Sequence, residues 1–177
     1  MKNLTEIIFL VDRSGSMSSI KKDMEGGFQT FLKEQKKSNV GEVNVSLYQF
    51  DDKFDEVFVS KSIKETPALE ITPRGMTALY DAINKTIVNT RERFSKLKKK
   101  DRPAKVVLCI ITDGQENASR EIDSNTLKTL IGDVDKKDKW NIVYLGANQD
   151  ALLTAKTIGV NLSTSATYDA SSQGSTA

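Results

Sequence analysis

Two stretches of this chain are apolar without interruption, residues 7–11 (Ile-Ile-Phe-Leu-Val) and 106–111 (Val-Val-Leu-Cys-Ile-Ile). Neither alternates with polar positions, which is the pattern of parallel strands covered on both faces. Residues 43–50 alternate at their start and predict a strand less buried than the first, and residues 54–60 predict another. Only Asp51, Asp52 and Lys53 separate these two, too few for a crossover, so they must run antiparallel, with the latter at the edge. Residues 140–145 read as a further strand and 160–162 as a last edge strand.

Between the strands the apolar period changes to that of a helix. Ile20, Met24, Phe28, Phe31, Leu32 and Gln35 predict a helix over about 18–36, weakened at Gly26-Gly27. Leu79, Ala82, Ile83, Ile87, Phe94 and Leu97 form the buried stripe of a second, which ends near Lys98 because Pro103 lies just beyond. Asp123-Ser124 opens a third, with Leu127, Leu130, Ile131 and Val134 on one face, and 151–158 is a short fourth. Residues 61–73 are polar and broken by Pro67 and Pro73. From Ser163 onward the chain is Ser, Thr, Ala, Gln and Gly with no apolar period, so 1–162 is expected to form one domain and 163–177 a flexible tail.

Strands that alternate with helices imply an α/β fold. The expectation is a doubly wound, Rossmann-like, mostly parallel sheet of about six strands, one edge strand antiparallel, with helices on both faces. The two most apolar strands belong at the centre, side by side. The chain leaves the first on one side and returns on the other, so strand order reverses between them. Ligands in open α/β sheets bind at the carboxyl ends of strands at such a point.

Composition narrows the chemistry. Hydrophobic residues are 38% and charged residues 28% of the 177, as expected of a globular chain. Lys plus Arg number 26 and Asp plus Glu 24, a balance that argues against electrostatic capture of nucleic acid. No stretch is long and apolar enough to insert in a membrane, and residues 1–11 do not read as a signal peptide, so a cytoplasmic location is expected. There is no histidine, which removes the commonest general base and zinc ligand. The one cysteine, Cys109, lies within an apolar strand and reads as a buried thiol.

The polar residues that matter fall at the ends of the two central strands. Asp12 follows the first directly, and Asp113 follows the other. Asp12, Ser14 and Ser16 alternate along a turn bent at Gly15, so one carboxylate and two hydroxyls converge, as suits a hard divalent cation. Thr77 sits on the loop entering the second helix, placed to close the set from the side. Taken alone, the Asp12–Ser16 turn reads equally as a loop with a helix cap. Arg13 and Arg74 flank the two loops, either as solvated charges or as attraction for an acidic partner.

Asp12-x-Ser14-x-Ser16, then Gly75-Met76-Thr77, then Thr112-Asp113-Gly114, in this order and on these elements, resembles the metal-ion-dependent adhesion site of von Willebrand factor A domains. The resemblance covers about 5–162 and looks like the small stand-alone members found in bacteria and phages. It implies that Ser14, Ser16 and Thr77 hold Mg2+ (or Mn2+, or Ca2+) through hydroxyls, with Asp12 and Asp113 bound directly or through water. A protein partner would then supply an Asp or Glu to the remaining position, with no catalysis. Such domains commonly close with a helix whose sliding reports on the metal. Here the Ser/Thr-rich tail stands in its place, so that switch is not expected of these residues.

Other functions fit less well. A Mg2+-dependent phosphohydrolase of the haloacid dehalogenase type needs a carboxylate two residues after its nucleophilic Asp, and Ser14 stands there. A serine hydrolase lacks its base, and neither phosphate-binding glycine motif is present. A scaffold with a purely structural metal remains an alternative.

Overall fold

The computed structural model describes residues 2–38, 41–113, 115–161 and 165–167. Six strands form one sheet: β1 (Lys2–Asp12), β2 (Glu42–Phe50), β3 (Phe54–Ser62), β4 (Pro103–Thr112), β5 (Asn141–Gly146) and β6 (Ser165–Thr167). Their order is β3-β2-β1-β4-β5-β6. Among the described residues only the β2–β3 pair is antiparallel, so the expected architecture holds. The helices are α1 (Lys21–Lys37), α2 (Leu79–Ser95), α3 (Ser124–Lys136) and α4 (Gln149–Thr157).

Side chains alternate across the sheet and build two cores. Leu10, Tyr48, Ile110 and Tyr144 lie on one face with Leu79, Ile83 and Ile87 of α2, Leu127 and Ile131 of α3, and Ala151 and Ala155 of α4. Phe9, Val11, Leu47, Cys109 and Ile111 lie on the other with Met24, Phe28 and Leu32 of α1. Phe9 meets Phe28 and Phe31 edge-on at 5.0 and 5.2 Å, a favoured aromatic geometry. Burial pushes the Cys109 thiol up to about 12, which keeps it protonated and inert. Among the described residues no helix is long and apolar enough to cross a membrane.

Several expectations are corrected. The last edge strand is not 160–162: Val160 and Asn161 have no strand geometry, and Leu162 lies outside the described residues. The strand is Ser165–Thr167, inside the expected tail, and it pairs in parallel with Tyr144–Gly146. Pairing at a sheet edge uses backbone groups, so a three-residue strand needs no apolar run to announce it. The rest of the tail lies outside the described residues. The residues from 45 to 50 in β2 are buried throughout, because β1 and β3 flank the strand and both faces are covered. Leu97, expected in the buried stripe, lies beyond the end of α2 and is exposed. α1 begins at Lys21 and not at about 18, because a 3-10 turn over Gly15–Ser19 takes up the expected start. The polar stretch 61–73 also buries Leu69 and Ile71 against α1, and its backbone is held by Glu25 and Gln49.

Gly146 ends β5 where α4 presses closest. A Cβ there would stand 2.3 Å from the Cβ of Ala151, which is fully buried. Gly146→Ala should therefore lower stability by about 1–3 kcal/mol, the usual cost of overpacking. Urea unfolding of the variant measures this, and an unchanged midpoint would mean that α4 can move aside.

Candidate metal centre

β1 and β4 pair in register up to Val11 and Ile111, so Asp12 and Thr112 emerge together at the carboxyl end of the sheet. Thr112 Oγ1 donates to Asp12 Oδ2 at 2.7 Å, and the Ser14 N–H donates to Asp12 Oδ1 at 2.7 Å. This aspartate-centred turn starts the 3-10 segment, leaving Ser14 buried and Ser16 exposed. The hydroxyls of Ser14 and Ser16 stand 3.2 Å apart, and Ser16 Oγ donates to Asp113 Oδ2. Asp12, Ser14, Ser16 and Asp113 thus share one connected network. Thr77 is also buried, and its backbone is tied to the loop that follows Asp113. Its carbonyl accepts from the Asn117 and Ala118 N–H groups at 3.0 and 3.1 Å, and its N–H donates to Asn117 Oδ1 at 2.8 Å. On its other side Gly15 N–H donates to Gly75 O at 3.2 Å and Arg74 N–H to Arg13 O at 2.9 Å. Gly75, at φ 66°, turns this segment where a side chain would strike Asp52.

Burial raises the Asp12 carboxyl to about 6, and the nearby Asp113 adds to the rise, against hydrogen bonds from Ser14 and Thr112 that favour the charge. Among the described residues neither Asp12 nor Asp113 has an ion-pair partner. Two carboxylates among hydroxyls and amides, without a cationic side chain, fit a hard divalent cation. The same residues explain why no group of three His, Cys, Asp or Glu suited to a metal occurs among the described residues: most donors here are hydroxyls.

Residues not singled out by sequence shape this site. Thr112 orients Asp12. Glu116 accepts from the N–H groups of Tyr80, Ala118 and Ser119, tying the Asp113 loop to the start of α2. Asp81 returns the bond, accepting from the N–H groups of Arg120, Glu121 and Ile122. Such reciprocal capping has no apolar period to reveal it.

Arg13 and Arg74 are neither simply solvated nor free to attract a partner. Both converge on Asp51, at 2.9 and 2.7 Å, and Arg13 also pairs with Asp55 at 2.7 Å. Asp51 is fully buried and Arg13 nearly so. Burial opposes the Asp51 charge, yet the Arg74, Lys53 and Arg13 donors hold its carboxyl below the usual range.

A family model described as the von Willebrand factor type A domain matches residues 6–173. The chain belongs to this family. Members are in general metal-dependent protein-interaction modules. No curated protein matches the sequence. Solved structures show the shared fold. Proximal thread matrix protein 1 from the mussel byssus is 18% identical with a TM-score of 0.63, over 93% of this chain and 41% of that one. This domain thus spans less than half of that protein. The manganese-loaded TRAP protein of Plasmodium vivax is 16% identical with a TM-score of 0.58, over 96% of this chain and 70% of that one. The ArnB paralog VWA2 from Sulfolobus acidocaldarius is 16% identical with a TM-score of 0.50, over 89% and 40%.

Two outcomes test these electrostatics. Because Asp12 titrates near 6 when folded, against 3.8 as its ordinary value, the metal-free domain takes up a proton that the unfolded chain does not. Its stability in EDTA should rise as pH falls from 7 toward 4, by up to about 3 kcal/mol, and Asp12→Asn should flatten that slope. Urea titrations across pH measure it. Asp51→Ala leaves Arg13 buried with only Asp55, and should cost about 3 kcal/mol by the same method.

Proposed function

We propose that this domain is a non-catalytic, divalent-cation-dependent protein-binding module. Asp12, Ser14, Ser16, Thr77 and Asp113 would hold one Mg2+, with Mn2+ or Ca2+ as substitutes. The bound ion supplies an open coordination position for an Asp or Glu carboxylate of a partner protein. The observation that carries this reading is the contact of Ser16 with Asp113. An exposed hydroxyl on the first loop meets a carboxylate from the far side of the chain, in a network that runs on to buried Ser14 and Asp12. The donor set therefore opens outward at the loop rim, where another protein can reach it. Three neutral hydroxyls compensate less of the ion's charge than a carboxylate cage would, which favours an added anionic ligand. The manganese-loaded neighbour adds support at the level of fold. A cytoplasmic setting belongs to the same proposal.

Calorimetry on chelator-treated protein should give one Mg2+ or Mn2+ per chain. Asp113→Ala should give none while its circular dichroism in EDTA matches the parent. A hundredfold excess of ion over the dissociation constant should stabilise the fold by about 2.7 kcal/mol. A partner retained on the immobilised domain in Mg2+ should be released by EDTA, and exchange of its metal-reaching Asp or Glu for the amide should remove nearly all affinity. A folded domain that binds no divalent ion, or a partner held equally in EDTA, refutes the proposal.

A further inference from the structure

Tyr144 is buried to 0% exposure, and among the described residues its hydroxyl has no hydrogen-bond partner. Leaving a phenol hydroxyl unmatched in a core costs about 1–3 kcal/mol, so its position calls for a reason. The sheet register gives one. Tyr48, Leu10, Ile110 and Tyr144 form a row across β2, β1, β4 and β5. Two residues further along the same strands, on the same face, come Phe50, Asp12, Thr112 and Gly146. Tyr144 therefore stands beneath Gly146 on β5, one layer below Asp12 and Thr112 on the strands beside it. Burial, then the charge of Asp12, then Tyr80 and Asp113, raise the phenol above its ordinary range, so both carboxylates act on it. The group is an O–H donor within the field of two carboxylates, and no atom of the described residues takes its proton.

We propose that Tyr144 is a positioning residue of the metal centre, donating through one buried water to the Asp12–Asp113 carboxylates. This rests on the cation-binding reading above. A buried water needs two or more polar partners, and the phenol and the carboxylates supply them. The donated hydrogen bond would help hold the carboxylates in place beside the Ser14 N–H and the Thr112 hydroxyl, which already orient Asp12. Outer donors of this kind commonly change metal affinity ten- to a hundredfold when removed.

Tyr144→Phe tests it, because an idle hydroxyl and a positioning hydroxyl predict opposite results. The expected outcome is affinity for Mg2+ and Mn2+ about tenfold weaker by calorimetry, with circular dichroism and urea unfolding in EDTA no worse than the parent. Unchanged affinity together with a more stable metal-free fold would overturn the proposal, since the hydroxyl would then be a plain unmatched group. If the parent itself binds neither ion, the functional reading has failed rather than this assignment within it. Should Tyr144→Phe not fold, the ultraviolet difference spectrum on adding Mg2+ decides. A tyrosine band in the parent that persists in Tyr48→Phe, Tyr80→Phe and Tyr168→Phe supports the role, and its absence from the parent overturns it.

Discussion

The structure depends on bringing two aspartates together at the end of its two central strands. β1 and β4 pair in parallel and in register, so the residues just past Val11 and Ile111 must meet at one place. Both chains turn acidic there, at Asp12 and Asp113. Burial in a poorly solvated site disfavours the Asp12 charge, the Asp113 carboxylate beside it adds to this, and the raised Asp12 carboxyl is the measure of that cost. The fold offsets it only in part, with the Ser14 N–H and the hydroxyls of Thr112 and Ser16. Such a site stores negative charge against the ordinary preference of a protein interior, and the sheet and its helices supply the rigidity that keeps it there.

Three other carboxylates brace the loops so that these two need not. Asp51 draws in Arg13 and Arg74, and its own carbonyl accepts from the Ala78 N–H at 2.9 Å, fastening the first loop and the Thr77 segment to the β2–β3 turn. Glu116 and Asp81 cross-brace the Asp113 loop and the first turn of α2. The Thr77 segment lies between, hydrogen-bonded to both loops. Three loops distant in sequence therefore behave as one braced surface.

The fold was legible in sequence where burial dictates it. The apolar runs 7–11 and 106–111 had to be central, and the three-residue link at Asp51–Lys53 had to make an antiparallel edge. Asp12 and Asp113 stood out in sequence as polar residues placed at the ends of apolar runs, Ser14 and Ser16 by alternation along the turn, and Thr77 by its place at the entry to a helix; the structure joins Asp12, Ser14, Ser16 and Asp113 in one network. The features that escaped were held by backbone. β6 rests on main-chain pairing without an apolar run, and the bracing by Glu116, Asp81 and Asn117 joins side chains to N–H groups far away in sequence. Asp51 looked like turn composition, although it is the charge that neutralises both flanking arginines.

The pairing of Asp51 with both arginines changes the electrostatics of the rim. Had Arg13 and Arg74 faced outward unpaired, they would have drawn acidic partners over a distance and made association strongly dependent on salt. Instead Arg13 is enclosed between Asp51 and Asp55, and Arg74, though half exposed, holds its guanidinium on Asp51. Their positive charge is committed to fastening the loops. In the proposed reading, attraction for a carboxylate then falls chiefly to the ion itself. That interaction is short in range and directional, and it tests whether a partner can place one oxygen at one position. Binding governed this way should discriminate by fit more than by net charge, which suits a chain whose own charges nearly balance.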